Sequence, residues 1–250
     1  MEEEERNKLG IILNATLRVS NVGKVFGFWC NEDDKCVYMV FEKIASPNLV
    51  KCVLKKKEDK DERLSSDEIS ALAMLCMEIC EILSRLHSEG LVFGFLRVSC
   101  FGFNDFGHVY VDLGEVLNTG FKFDWGKSRY EVGCASDVWF LACLLVRLIV
   151  GSTFVEEMER FLHFVVNAIK EEKGCDYSGL CVRWSEKIAV LLEGRLASEY
   201  ASLQDILYRC LGFDPGNRPV ITDLWKCLRE LVVKPQFDTG LMLKQEVKKE

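Results

Sequence analysis

Residues 86–100 read LHSEGLVFGFLRVSC, and this stretch decides how the rest of the chain is parsed. It closes the strongest helix signal in the sequence. Ser65-Ser-Asp-Glu68 supplies hydroxyl caps followed by first-turn acids, the usual chemistry of a helix start. Ile69, Leu72, Leu75, Cys76, Ile79, Ile82, Leu83 and Leu86 then recur at helical spacing, and Gly90 stands in the C-cap position. After Gly90 the pattern changes to short strand-like runs, Leu91–Phe93 and His108–Val111. Asn104-Asp-Phe-Gly107, a turn-forming sequence, joins them.

On the N-terminal side, Leu9, Ile12, Leu13 and Leu17 predict a helix over 2–17 behind an acidic first turn. Val22–Trp29 and Cys36–Glu42 are β-branched and aromatic runs around a polar stretch at 31–35, which predicts a β-hairpin. Ser46-Pro-Asn breaks the pattern, and a short helix with a charged loop is expected up to Leu64. On the C-terminal side helices are predicted over 137–150, 154–170, 184–192, 203–211 and 221–231, with a polar tail from Lys234. A small strand portion followed by a helical bulk is an α+β arrangement.

The 250 residues carry a formal charge of −7 with both signs scattered, which disfavours nucleic acid and anionic membrane as partners. The one basic run, Lys55–Lys57, runs straight into Glu58 and Asp59 and reads as a solvated loop. Twelve cysteines contain no C-x-x-C pair, and Cys76 and Cys80 share a helix face without histidine partners in sequence. They are expected to be reduced, mostly buried thiols of an intracellular, cytoplasmic protein. Val138–Val150, broken by Arg147, is read as a core helix too short to span a bilayer.

Several stretches, taken in order, resemble the protein-kinase family. Residues 11–42 look like the end of the family's αC helix and its fourth and fifth strands. Within them, Val37–Glu42 resembles the strand entering the hinge, with Phe41 at the gatekeeper position. Leu86–Val92 (LHSEGLV) is similar to the run from the αE helix into the catalytic loop. Ser136-Asp-Val-Trp139 and its continuation to Gly151 resemble the αF helix, and 210–219 (CLGFDPGNRP) the αH–αI corner. The resemblance implies a protein-kinase-like fold in three parts. These are a truncated N-lobe remnant over 1–44 with a partial αC helix, a mainly helical C-lobe over 45–233, and a polar tail over 234–250.

The same resemblance implies lost chemistry. An active kinase has His-Arg-Asp in its catalytic loop and a metal-binding Asn five residues on. Here those positions read Phe93, Gly94, Phe95 and Cys100, with Arg97 where a lysine usually stands. A phenyl ring accepts no proton, and a thiol is a poor ligand for magnesium. Allowing one deletion, Asp112-Leu-Gly114 matches the metal-binding Asp-Phe-Gly; without it the site reads Leu113-Gly-Glu115. The ion-pairing glutamate of αC falls on Gly10, and no G-x-G-x-x-G is present. Phe41, Glu42 and Asp112 would line what remains of a nucleotide cleft. Asp137 would tie the catalytic-loop backbone to αF, and Arg218 would pair with an acid of the short activation segment, Glu131.

His87, ahead of Ser88 and Glu89, reads as a helix-end residue that favours the macrodipole. His163 and His108 read as non-catalytic. Phe93, Phe95, Phe101, Phe103 and Phe106 are expected to fill core around the former active site. The resulting expectation is a pseudokinase-like interaction or regulatory module with no nucleotide or metal cofactor. Its partner would be another protein, a second copy, or domains of a longer parent chain, drawn to the apolar underside of the roofless hairpin. The alternative is an atypical phosphotransferase using Asp112, Glu115 and Arg97.

Overall fold

A computed structural model describes residues 3–31, 33, 36–42, 49, 63–93, 96–114, 127–170 and 177–233. The arrangement is α+β and mostly helical, with two small antiparallel sheets. Helix α1 (Glu3–Arg18) leads into the hairpin β1 (Val25–Asn31) and β2 (Cys36–Phe41). Helix α2 (Ser66–Ser88) precedes a second hairpin, β3 (Phe101–Phe103) and β4 (Val109–Val111). Five helices follow: α3 (Lys127–Val150), α4 (Ser152–Lys170), α5 (Tyr177–Glu193), α6 (Ala201–Cys210) and α7 (Ile221–Val233). The short helix and loop expected over 46–62, most of the activation segment and the tail from Lys234 lie outside the described residues, Leu49 aside.

Local chemistry accounts for the best-defined element. Ser65 Oγ accepts from Glu68 N at 3.3 Å while Glu68 Oε2 accepts from Ser65 N at 2.9 Å, a complete capping box. The inward stripe of α2 packs against α7, where Leu224 and Leu228 are fully buried, and against α3. At its far end Gly90 takes φ +81°, a left-handed turn that lets Leu91 N donate to Leu86 O and the chain reverse.

Several elements differ from the expectation. The strand paired with Val109–Val111 is Phe101–Phe103, and Leu91–Phe93 runs as irregular chain with no strand pairing. Three residues around Gly102 are too few to show alternation, so the turn's nearer arm carries no strand signal in sequence. Helix α3 begins ten residues before Asp137, so 127–136 is helix where an activation loop was expected. With that extension Gly133–Val150 reaches the length and composition of a bilayer span. About 56% of it is buried within the protein, as in a core helix, against α2 and α6. In α1 the buried side is Leu9, Ile12, Ala15 and Thr16, continued by Val19 just past its end, while Leu17 faces solvent. Helix α5 begins at Tyr177, seven residues before the predicted start.

Cys76, Cys80, Cys100 and Cys210 are buried, while Cys30 and Cys36 are exposed on the first hairpin. Burial pushes the Cys76 and Cys210 thiols up to about 12, so they behave as apolar filler. An aromatic cluster closes the opposite end of the core. Trp184 stacks near Trp139, touches Phe161 at 4.8 Å between ring centres, and donates its indole N–H to Leu211 O at 3.0 Å.

Leu83 is completely buried on α2, so Leu83→Ala should lower unfolding free energy by about 2–5 kcal/mol in a urea titration. Ser65→Ala, which removes only the cap, should lower it by about 1 kcal/mol.

Candidate functional site

The junction of α2, the 91–93 segment and α3 holds Asp137, whose side chain has no solvent exposure. Its Oδ2 accepts from His87 Nε2 at 2.9 Å and from the backbone N–H of Phe93 at 3.1 Å. His87 comes from the last turn of α2, and Phe93 from the chain that Gly90 redirects. Gly133, one turn before Asp137 on α3, leaves no room for a Cβ beside Val92, so the 91–93 segment closes tightly on α3. Burial works to lower the His87 pKa, but the hydrogen bond and charge of Asp137, helped by the Cys134 thiol, outweigh it. The imidazole is raised from 6.5 to about 9 and is protonated at neutral pH. His87 stands at the helix end as read from the sequence, and the structure adds a partner 50 residues downstream: two nitrogens and one carboxylate form a buried staple.

Phe93 is buried, and so is Cys100, whose carbonyl accepts from Asp112 N at 2.8 Å. Gly94 and Phe95 lie outside the described residues, and Arg97 is exposed. Phe101 is fully buried and stacks on Phe140 with ring centres 5.7 Å apart, and Phe103 packs partly against the core. Phe106 departs from the core-filling expectation. It sits 88% exposed at the tip of the β3–β4 turn, where Asn104 Oδ1 accepts from the backbone N–H groups of Phe106 and His108.

The second group of sequence-singled residues gathers where the first hairpin meets β4. Asn21, with φ +62°, ends the α1 turn so that Val111 N donates to Asn21 O and Gly23 N to Val111 O, both at 2.9 Å. Lys24 Nζ donates to the terminal α1 carbonyls of Thr16 and Val19, and Glu42 N donates to Lys24 O. Glu42 Oε2 accepts from Tyr110 Oη at 2.9 Å and from Lys24 N at 3.2 Å. Burial, then the hydrogen bond and charge of Glu42, push the Tyr110 phenol well above its usual range. Asp112 Oδ1 accepts from Gly114 N at 2.9 Å, bracing its own turn, and the Phe41 ring lies directly on the Cα of Gly114. Phe41, Glu42 and Asp112 are therefore brought together, with Phe41 filling the space between β2 and the 112–114 turn. Gly10 lies in mid-α1 with open space beside it, and Glu115 lies outside the described residues.

Arg218 is spread over backbone. Its Nε donates to Gly212 O at 2.7 Å, Nη1 to Ala135 O at 3.0 Å and Nη2 to Phe213 O at 3.2 Å. The guanidinium also lies 4.7 Å from the Trp139 ring centre. The side chain of Glu131 lies outside the described residues. Among the described residues no group of three or more His, Cys, Asp or Glu side chains is arranged to hold a metal ion. Comparison of the chain with protein-family models gave no match, and comparison with curated proteins gave no significant one.

Because the folded pKa of His87 lies above its unfolded value, the Asp137 staple contributes fully below about pH 6.5 and is lost as pH rises through about 9. Urea midpoints measured across that window should fall with rising pH, and His87→Gln should flatten the profile. Asp137→Ala strands a buried imidazolium and should cost about 3–5 kcal/mol, visible as a large loss of thermal stability. Gly114→Ala, which drives a methyl into the Phe41 ring, should cost about 1–3 kcal/mol by the same assay.

Proposed function

We propose that this chain is a kinase-derived, non-catalytic domain that works as a protein-interaction or regulatory module. One observation carries the reading. The buried Asp137 carboxylate holds the backbone N–H of Phe93, at the point where the kinase resemblance puts the start of the catalytic loop, while the side chain there is an inert ring. An architectural contact is kept at a position whose chemistry is gone. Two further contacts support it. Phe41 lies against Gly114 in the region that the resemblance assigns to a nucleotide, and Asp112 spends a carboxylate oxygen on its own turn. Phosphoryl transfer depends on positioned charge and metal, so replacing the base and the Asn by Phe95 and Cys100 removes most of its driving interactions.

A thermal-shift titration of the full chain with ATP, with and without magnesium or manganese, tests this reading. The expected result is no change in Tm at about 1–5 mM nucleotide, since a ligand that binds the folded state raises stability by mass action. A metal-dependent rise of several degrees that Asp112→Ala abolishes would instead establish a working nucleotide site and favour the phosphotransferase alternative.

A further inference from the structure

The first hairpin has an inner and an outer face, and the outer one has the wrong composition for water. Alternation along the strands puts the pair Phe28–Met39 on one face, where both side chains pack against the core. The opposite face carries the pairs Gly27–Val40 and Trp29–Tyr38. Trp29 is 53% exposed, Val40 45% and Tyr38 41%, with Phe26 at the adjoining bulge 68% exposed. The Trp29 and Tyr38 rings stack with centres 5.2 Å apart and an 11° tilt, so they form one rigid ridge. Beside that ridge Gly27 adds no side chain to the face, which leaves a shallow hollow open to solvent. Strand β2 contains no charged residue, and no third strand pairs with either strand among the described residues.

We infer that this outer face is a docking surface for a second copy of the same chain. Ridge and hollow belong to one strand, two residues and about 7 Å apart on the same face. A two-fold axis between the sheets, crossing the strands level with Phe28, sets Trp29 of each copy into the Gly27 hollow of the other and Tyr38 over Val40. Self-complementarity of this kind is what an isologous interface requires. Phe26, Trp29, Tyr38 and Val40 leave roughly 400 Å² exposed per copy, taking about 150–250 Å² for a whole aromatic side chain. A pair would bury on the order of 800 Å², below the size of a standard specific interface, so the dimer belongs in the weak, reversible class. With −7 on each chain, association is opposed by long-range repulsion and strengthens with salt, the reverse of what a basic partner would show. This inference names the partner for the module proposed above and rests on that reading.

Sedimentation velocity of the full chain between about 1 and 100 µM, at low and high ionic strength, tests it. The expected result is a concentration-dependent dimer whose dissociation constant falls as salt rises. Gly27→Val fills the hollow while suiting a strand, and Trp29→Ser removes the ridge; each should weaken the dimer at least tenfold with the far-UV circular dichroism unchanged. Should Trp29→Ser impair folding, Gly27→Val decides alone. A monomer at every concentration, a dimer that Gly27→Val leaves intact, or one that salt dissolves overturns the inference. A monomer that also ignores nucleotide overturns the dimer alone, whereas a nucleotide-dependent Tm shift overturns the non-catalytic reading.

Discussion

A carboxylate sealed from solvent is tolerable only if its charge is answered nearby, and Asp137 is answered from two directions. His87 brings a cation from the last turn of α2, and Phe93 brings a backbone N–H from the chain just past the Gly90 turn. Neither donor is adjustable. A helix fixes the first, and a left-handed glycine followed by tight packing on Gly133 fixes the second. The staple thus sets where the chain from 86 to 93 lies against α3, and with it the start of everything downstream. Cys100 accepts from Asp112 N, β3 and β4 form beside it, and Val111 receives the 21–23 segment as its neighbour. The first hairpin is hung on the helical body through that sequence of contacts.

Other charges near the centre are committed in the same manner. Arg218 gives its guanidinium to three carbonyls and a Trp139 ring, holding the 212–213 corner against α3. Glu42 joins β2 to β4 through Tyr110, and Lys24 closes the end of α1. A catalytic constellation holds some charge in reserve for its ligand, with geometry aimed at where charge develops in the reaction. Here Asp112, Glu42, Asp137 and Arg218 each bond to the protein's own backbone, rings or side chains. That distribution fits the proposal of a domain kept for its shape.

How far the sequence can be read depends on the range of the interaction. The α2 start and stop are legible because capping box, apolar stripe and terminal glycine are all local, and so is the first hairpin, whose arms alternate over six or seven residues. The early start of α3 is not legible, because Lys127–Ser136 carries no cap signal before the apolar run begins. β3 is hidden by its brevity, and Leu91–Phe93 imitates a strand because buried irregular chain also selects β-branched and aromatic residues. Asp137 and Arg218 are visible as candidates from the motif resemblance. The His87 partnership is not, since it joins residues 50 apart and a histidine at a helix end already has a sufficient local explanation. Phe41 on Gly114 is likewise beyond pattern reading, because a glycine's missing Cβ matters only once a neighbour is known.

The anchoring of the first hairpin also bears on how its outer face is presented. A two-stranded hairpin alone in water is marginal at best, and exposed aromatic side chains would ordinarily let it collapse or slip register. Here its base is clamped by Lys24 on the α1 carbonyls, by Glu42 on Tyr110 and by the Val22–Val111 bridge, while Phe28 and Met39 hold the inner side to the core. The outer residues keep their positions although nothing in the chain's own core rewards their burial. Rigid display lowers the entropy lost when a surface is covered. An area too small to drive association from a floppy ribbon can therefore suffice from a clamped one, and the Trp29–Tyr38 stack removes most of the remaining side-chain freedom before any contact is made. The stability of the helical body is in this way transferred, through a few hydrogen bonds at the hairpin's base, to a surface that the body does not itself use.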